Sequence, residues 1–340
     1  MSVAVLLLAA AVVTIGALLH IMPGLTRPDI FFAVTVEPKF RRSPDARRIR
    51  SRYRIIVWVS TLAAAALEAA TGLTPAALIV LAGGLLWALA STHRMALAHA
   101  ATPTSIVEVD LAARREGLPG GPAVAFLPPA SLAALGLWMI LRPNTLPSSF
   151  PVHWGLNGPD RWVPATPGSV LVFLATMAWL CLFLVAMAWG LSRWSRRITA
   201  YGPRGALERR FRRRVLGMMI LSEYFLVVPA WAALFQPSAA LMNIWGPASL
   251  GTILGFSVSL GLLGQGGSHK ASAAGAAPTG DRTPDACWKW GLFYVNPADP
   301  AVWIEKRFGL GYTLNLGNRW TWALLGVLLV PLPIALVFLR

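Results

Sequence analysis

Few groups in this chain could do chemistry, and Glu223 stands out among them because it lies deep in an apolar stretch, 215–235, between Ser222 and Tyr224. A charge in hydrocarbon is costly, so an ionisable residue there is a functional candidate by default. Glu223 is either a proton or cation site or a structural hydrogen-bonding group turned toward other helices. The lack of a second acid at its level favours the structural role. A second constellation lies in 146–167, where His153, Asp160 and Arg161 flank Asn157-Gly158-Pro159, a turn signal. Pro147 and Pro151 hold the approach extended, so these side chains are expected to converge. One His and one Asp are too few to hold zinc. No metal is expected, and His153, Asn157, Asp160 and Arg161 read as a recognition surface. A third candidate is Gly309-Leu-Gly311, which follows Lys306-Arg307. That spacing suits a phosphate cradle, and equally a plain turn. No serine-nucleophile motif, paired cysteine ligands, HExxH or phosphate-binding GxxxxGK[ST] occurs, so neither enzyme activity nor a cofactor is expected.

The elements that must position these residues follow from composition. Of 340 residues, 56% are hydrophobic and 13% charged, and the mean hydropathy is +0.59. Soluble domains carry about 45–50% apolar and about 25% charged residues. A water-soluble enzyme, a disordered chain and a disulfide-stapled secreted domain are therefore excluded, and a polytopic membrane protein remains. The net charge of +16 would suggest nucleic acid in a soluble protein. Here the Lys and Arg residues fall between apolar runs, which implies topology and anionic headgroup contact rather than a nucleic-acid partner. Cys181 and Cys287 fall at different levels of the bilayer, so no disulfide between them is expected.

A bilayer core of roughly 30 Å needs about 20 apolar residues in a helix. Eight segments qualify: 2–22, 55–71, 76–97, 123–141, 168–190, 215–235, 241–264 and 321–339. The fold expected is an all-α polytopic membrane protein with eight transmembrane helices. Basic residues crowd the loop 27–54 and the loop from Arg193 to Arg214, while the outer loops keep Arg142 and Arg161. The positive-inside rule then puts both chain ends outside. The chain divides into a four-helix region 1–141 with its basic loop, an outer loop plus span at 142–190, and a basic loop with two spans at 191–264. A small, polar, flexible linker at 265–287, an aromatic cytoplasmic module at 288–316 and the last span complete it. Pro128-Pro129, Pro229, Gly246-Pro247, Pro331 and Pro333 interrupt the spans, read first as ordinary kinks and otherwise as the broken helices that transporters use for binding sites, and Gly251 and Gly255 are expected to permit close helix packing. Glu68, His20 and the pair His93-Arg94 lie near span ends, within reach of water by snorkelling.

Two resemblances add to this. Pro151, His153, Asn157, Gly158, Pro159 and Asp160 resemble the pattern of domain of unknown function 1648, over about 140–181. That domain also occurs in bacterial immunity proteins of the SdpI type, which protect a producer cell from its own secreted toxin. The resemblance implies a bacterial cytoplasmic membrane protein with a peptide or protein ligand at the outer loop. The segment 288–316 is similar to domain of unknown function 5808, through Trp288, Lys289, Gly291, Tyr294, Asn296, Pro297, Asp299 and Pro300 and then Lys306, Arg307, Gly309, Gly311, Thr313 and Asn315. From the residues alone, Asn296-Pro-Ala-Asp-Pro300 is a turn between two aromatic β-like strands, and the aromatics beside Lys289, Lys306 and Arg307 suit docking at a membrane interface. The expected function is non-enzymatic envelope recognition or immunity-type protection. The alternatives are a small-solute or ion transporter built on broken helices and Glu223, and an intramembrane enzyme.

Overall fold

The computed structural model describes residues 3–102, 116–155, 158–196, 198, 202–235, 239–275, 281 and 283–329. Among the described residues seven helices are long and apolar enough to cross a membrane. They are α1 (Val3–Leu25), α2 (Pro44–Thr71), α3 (Thr74–Leu97), α4 (Gly121–Leu141), α5 (Pro167–Trp194), α6 (Gly202–Phe235) and α7 (Ala239–Leu263). They coincide with the first seven expected spans. Of the eighth, α9 (Arg319–Leu329) covers the start, and 330–339 lies outside the described residues.

Helix ends are set by local chemistry. Ser43 caps α2 by accepting the Ala46 N–H, Pro44 fills the first turn, and Gly72 ends the helix in a left-handed conformation at φ 65°. Across this tight α2–α3 turn, Glu68 is buried and its Oε1 accepts from the Thr74 hydroxyl at 3.0 Å. Glu68 therefore braces the hairpin instead of snorkelling to water. No helix is broken at Pro128-Pro129, Pro229 or Pro247, because α4, α6 and α7 run through them. In α4 the reason is visible: proline frees the carbonyl four residues earlier, and the Tyr224 hydroxyl of α6 donates to the Val124 carbonyl at 2.7 Å.

α2 packs between α1 and α3 around Val12, Leu19, Ile49, Tyr53, Val57, Leu81 and Leu89. α4, α5 and α6 pack on one another, with α7 against α6. Small residues allow the closest approaches at Gly16 and Gly84. An added Cβ would stand 2.5 Å from Thr61 and 1.8 Å from the Ser60 hydroxyl, respectively, whereas at Gly251 and Gly255 it would meet nothing. Gly84→Val is therefore expected to separate α2 from α3 and cost about 1–3 kcal/mol, read as a lowered melting temperature in detergent. Gly251→Val should leave that temperature unchanged.

Short hairpins close both ends of the bundle. At one end, β3 (Ser149–Gly155) and β4 (Gly158–Pro164) pair antiparallel with a register shift at His153. At the other, β1 (Ile30–Phe31) and β2 (Val34–Thr35) pair in the first loop. There too β5 (Trp288–Lys289) pairs with β6 (Phe293–Tyr294), and β7 (Trp303–Glu305) with β8 (Tyr312–Leu314). The stretch expected as a linker is folded at both ends, with α8 (Ser268–Ala273) at one and a short 3-10 turn, Asp285–Cys287, at the other. Residues 276–280 and 282 between them lie outside the described residues.

Candidate functional site

The densest polar constellation centres on Arg307, which is 2% exposed. Its Nε donates to Asp281 at 2.6 Å and to the Thr283 hydroxyl at 3.0 Å. Nη1 reaches Asp285 and the Ala33 carbonyl, the latter at 2.8 Å. Nη2 donates to Asp281 at 2.9 Å, to Thr35 Oγ1 at 3.3 Å and to the Thr283 carbonyl. The Trp288 ring covers the guanidinium at 5.6 Å. All donors of the planar fork are thus engaged. Burial pulls the Arg307 pKa down, but Asp281 and Asp285 outweigh it and hold it above the ordinary arginine range. Burial likewise pushes Asp281 up, and the Arg307 charge with its hydrogen bonds reverses this, holding that carboxyl below its usual range.

Asp285 also accepts from the Thr35 N–H at 3.0 Å and its hydroxyl at 2.7 Å. Arg307 therefore fastens the C-terminal module to the β1–β2 hairpin. The turn of that hairpin holds Phe32 and Ala33 at φ 46° and 64°, a conformation bulky residues avoid. His93 at the end of α3 meets the Phe32 carbonyl at 2.8 Å, and Phe32 stacks on Phe308 at 5.7 Å. His93 is thus enlisted by the fold and buried rather than turned to water.

Further ion pairs attach the module to the rest of the chain. Buried Arg27 reaches Glu305 at 3.3 Å and Asp29 at 3.5 Å. Arg212 of α6 pairs with Glu116 at 3.3 Å and donates to the Tyr312 hydroxyl at 3.2 Å. Arg196 pairs with Asp299 at 2.7 Å, and Tyr294 donates to the same carboxylate at 2.9 Å. Burial, with help from that carboxylate, pushes the Tyr294 phenol up to about 12. Phe308 enters the α1–α3 core while Val302 and Trp303 enter the α4–α7 core, so the module bridges the two helix groups.

The residues singled out in this segment have structural tasks. Asn315 donates from Nδ2 to the carbonyls of Asn296, Asp299 and Ala301 and accepts the Asn296 N–H at 3.0 Å. Asn296 donates to the Tyr294 hydroxyl at 3.0 Å. Gly309 and Gly311, at φ 82° and 95°, serve the β7–β8 turn. The Gly311 N–H is taken by Gln265 Oε1 at 2.7 Å, and its carbonyl accepts from Gln265 Nε2 and the Lys306 N–H. The Gly311 N–H that a phosphate cradle would need is thus already engaged. Lys306 is exposed, unlike Arg307. The interface role expected of Lys289, Lys306 and Arg307 therefore stays open to the two exposed lysines and not to Arg307, which points inward to acids that the linker supplies.

At the opposite end, Phe150 and Val163 are buried against α5, with Phe150 5.2 Å from Phe173. The outward face of this hairpin carries an exposed pair, His153 Nδ1 to Asp160 Oδ1 at 2.6 Å. Arg161 stands opposite His153 in the register, and Trp162 is exposed. His153, Asp160 and Arg161 thus share one hairpin; Asn157 lies outside the described residues. Among the described residues no group of three or more His, Cys, Asp or Glu could hold a metal.

Glu223 is fully buried on α6, and neither carboxylate oxygen has a hydrogen-bond partner among the described residues. Its backbone carbonyl lies 3.8 Å from the Cys181 sulfur of α5. The structural hydrogen bond expected of it is not made to any described residue.

Sequence reasoning passed over Arg27, Arg212, Gln265, Asp281 and Asp285. The arginines were indistinguishable from topology charges. The acids left one trace, Asp281-Arg-Thr-Pro-Asp285, two carboxylates in a chain holding only 14 acidic residues.

The fold and these ion pairs define a multi-pass helical membrane protein whose loops close into an arginine-tied module at one end. A model for a family of unknown function, DUF5808, matches residues 297–322, which run from the turn after Asn296 into α9. No curated protein and no solved structure matches the chain.

Proposed function

We propose that this chain is a non-enzymatic protein of the bacterial cytoplasmic membrane that recognises a peptide or protein ligand at the cell exterior, as in immunity-type protection. The observation that carries this reading is the β3–β4 hairpin. Phe150 and Val163 root it in the bundle, while the His153–Asp160 pair and Trp162 stay exposed. A rooted hairpin with an exposed aromatic and charged face is pre-organised for a ligand. The likeness of Pro151–Asp160 to domain of unknown function 1648 supports the same reading, and so does the crowding of basic residues at the module end, which orients the hairpin outward. The test is a challenge of deletion cells with secreted peptides. Complementation by the parent chain but not by His153→Ala/Asp160→Ala supports the assignment, and equal protection by that variant refutes it.

The orientation is tested separately. A cysteine replacing Asn157 is expected to react with an impermeant thiol reagent in intact cells, and one replacing Asn296 only after lysis. Labelling of position 296 from outside overturns the N-out, C-out arrangement of eight spans. A second reading, proton- or ion-coupled transport, is favoured by one observation, the buried carboxyl of Glu223 that meets no partner among the described residues. Proteoliposome flux separates the two.

A further inference from the structure

We propose that the first turns of α2 form a specific site for one anionic phospholipid. Arg47, Arg50, Arg54, Trp58 and Leu62 recur at helical spacing and line a single groove of about 680 Å³. Arg47 and Arg54 are exposed, and Arg50 rests over the Phe31 ring at 5.9 Å. None of the three forms an ion pair among the described residues, in contrast to Arg27, Arg212 and Arg307 at the same end of the bundle. Below them Ile55, Val59 and Leu62 are exposed and apolar on a helix of membrane-crossing length.

Charge complementarity selects the occupant. Three uncompensated guanidiniums on one face suit a phosphate, which arginine recognises through its planar fork. The apolar stripe from Ile55 to Leu62 covers roughly 10 Å at 1.5 Å per residue, enough for the upper part of one acyl chain. Trp58 marks the level between the two. Its indole N–H donates to His20 Nδ1 at 3.1 Å, so the ring is held against α1 as a fixed wall, at the depth where tryptophan favours the headgroup boundary. A free phosphate would use the arginines alone. A phospholipid uses both halves of the groove. The proposal rests on the chain's being embedded in a bilayer, and not on the ligand or transport readings above.

The test is native mass spectrometry of the full chain released from detergent holding equal amounts of phosphatidylglycerol and phosphatidylcholine. The parent is expected to retain phosphatidylglycerol about tenfold over phosphatidylcholine. Arg47→Gln/Arg50→Gln/Arg54→Gln should bring that ratio near one. Arg54→Gln alone, at an exposed position without an ion-pair partner among the described residues, should lower it about threefold with the fold intact. The charge-matched Arg209→Gln/Arg210→Gln/Arg213→Gln on α6 should leave it unchanged. No preference in the parent, no drop with Arg54→Gln, or an equal drop in the α6 control overturns the site. Displacement of the lipid by excess glycerol phosphate overturns the part assigned to the acyl groove.

Discussion

Arg307→Leu is expected to open the C-terminal module and lower the stability of the protein by about 3–5 kcal/mol, the usual cost of removing one partner from a buried ion pair. Two carboxylates, Asp281 and Asp285, depend on this guanidinium, as does the Ala33 carbonyl in the left-handed β1–β2 turn. Limited trypsin digestion in detergent should then cut within 288–316, where the parent is expected to resist. Arg307→Lys should recover little of this, because an ammonium is a point charge that cannot reach Asp281 through two bonds while also meeting Asp285, Thr283 and Ala33. Arg307→Leu/Asp281→Asn should be less damaged than Arg307→Leu, since the uncompensated charge is itself the main cost. A module that stays resistant with Arg307→Leu would show that its apolar contacts alone hold it.

The same pair sets a pH dependence. In the folded protein the Asp281 carboxyl titrates below its usual range, and in the unfolded chain near about 3.9. The unfolded state therefore binds the proton first. The pair's contribution is fully present above about pH 4 and is lost as pH falls through the depressed folded value. Acid should release the module at a higher pH in Arg307→Lys than in the parent, because the weaker pairing depresses Asp281 less.

How much of this was legible depends on range. The seven spans and the α2–α3 hairpin follow from hydropathy and from Thr71-Gly-Leu-Thr-Pro75, which are local signals. The aromatic character of the module was legible from the change between small polar residues and aromatics near Trp288, but not that Asp281, Thr283 and Asp285 of the expected linker bind its Arg307. Its partners were not. Arg27 and Glu305 are 278 positions apart, and Arg307 and Ala33 are 274 apart; nothing in either neighbourhood announces the other. The prolines were ambiguous between kink and break for a related reason. Pro128 looks like a break only until Tyr224 is known to satisfy the Val124 carbonyl. Gly251 and Gly255 carry a packing motif but meet nothing among the described residues, while Gly16 and Gly84 are where the helices touch.

Glu223 is where structure and sequence reasoning part furthest, and Glu223→Leu tests the difference. If this carboxyl were a structural hydrogen-bonding group, leucine would strand its partner and destabilise the fold. Among the described residues no such partner exists for either oxygen, so leucine, of similar volume, removes only a buried polar group that nothing satisfies. The expected result is a gain of about 1–3 kcal/mol, seen as a higher melting temperature in detergent. A fall in that temperature would reveal a partner and return Glu223 to a structural role. An unpartnered carboxyl kept at such a cost needs another reason to be there, and binding a proton or a small cation supplies one. Glu223→Gln then discriminates, because the amide keeps shape and polarity but cannot titrate. Proteoliposomes with Glu223→Gln should be folded and lose proton- or cation-coupled flux at least tenfold if transport is the function, whereas unchanged flux would remove Glu223 from any such pathway.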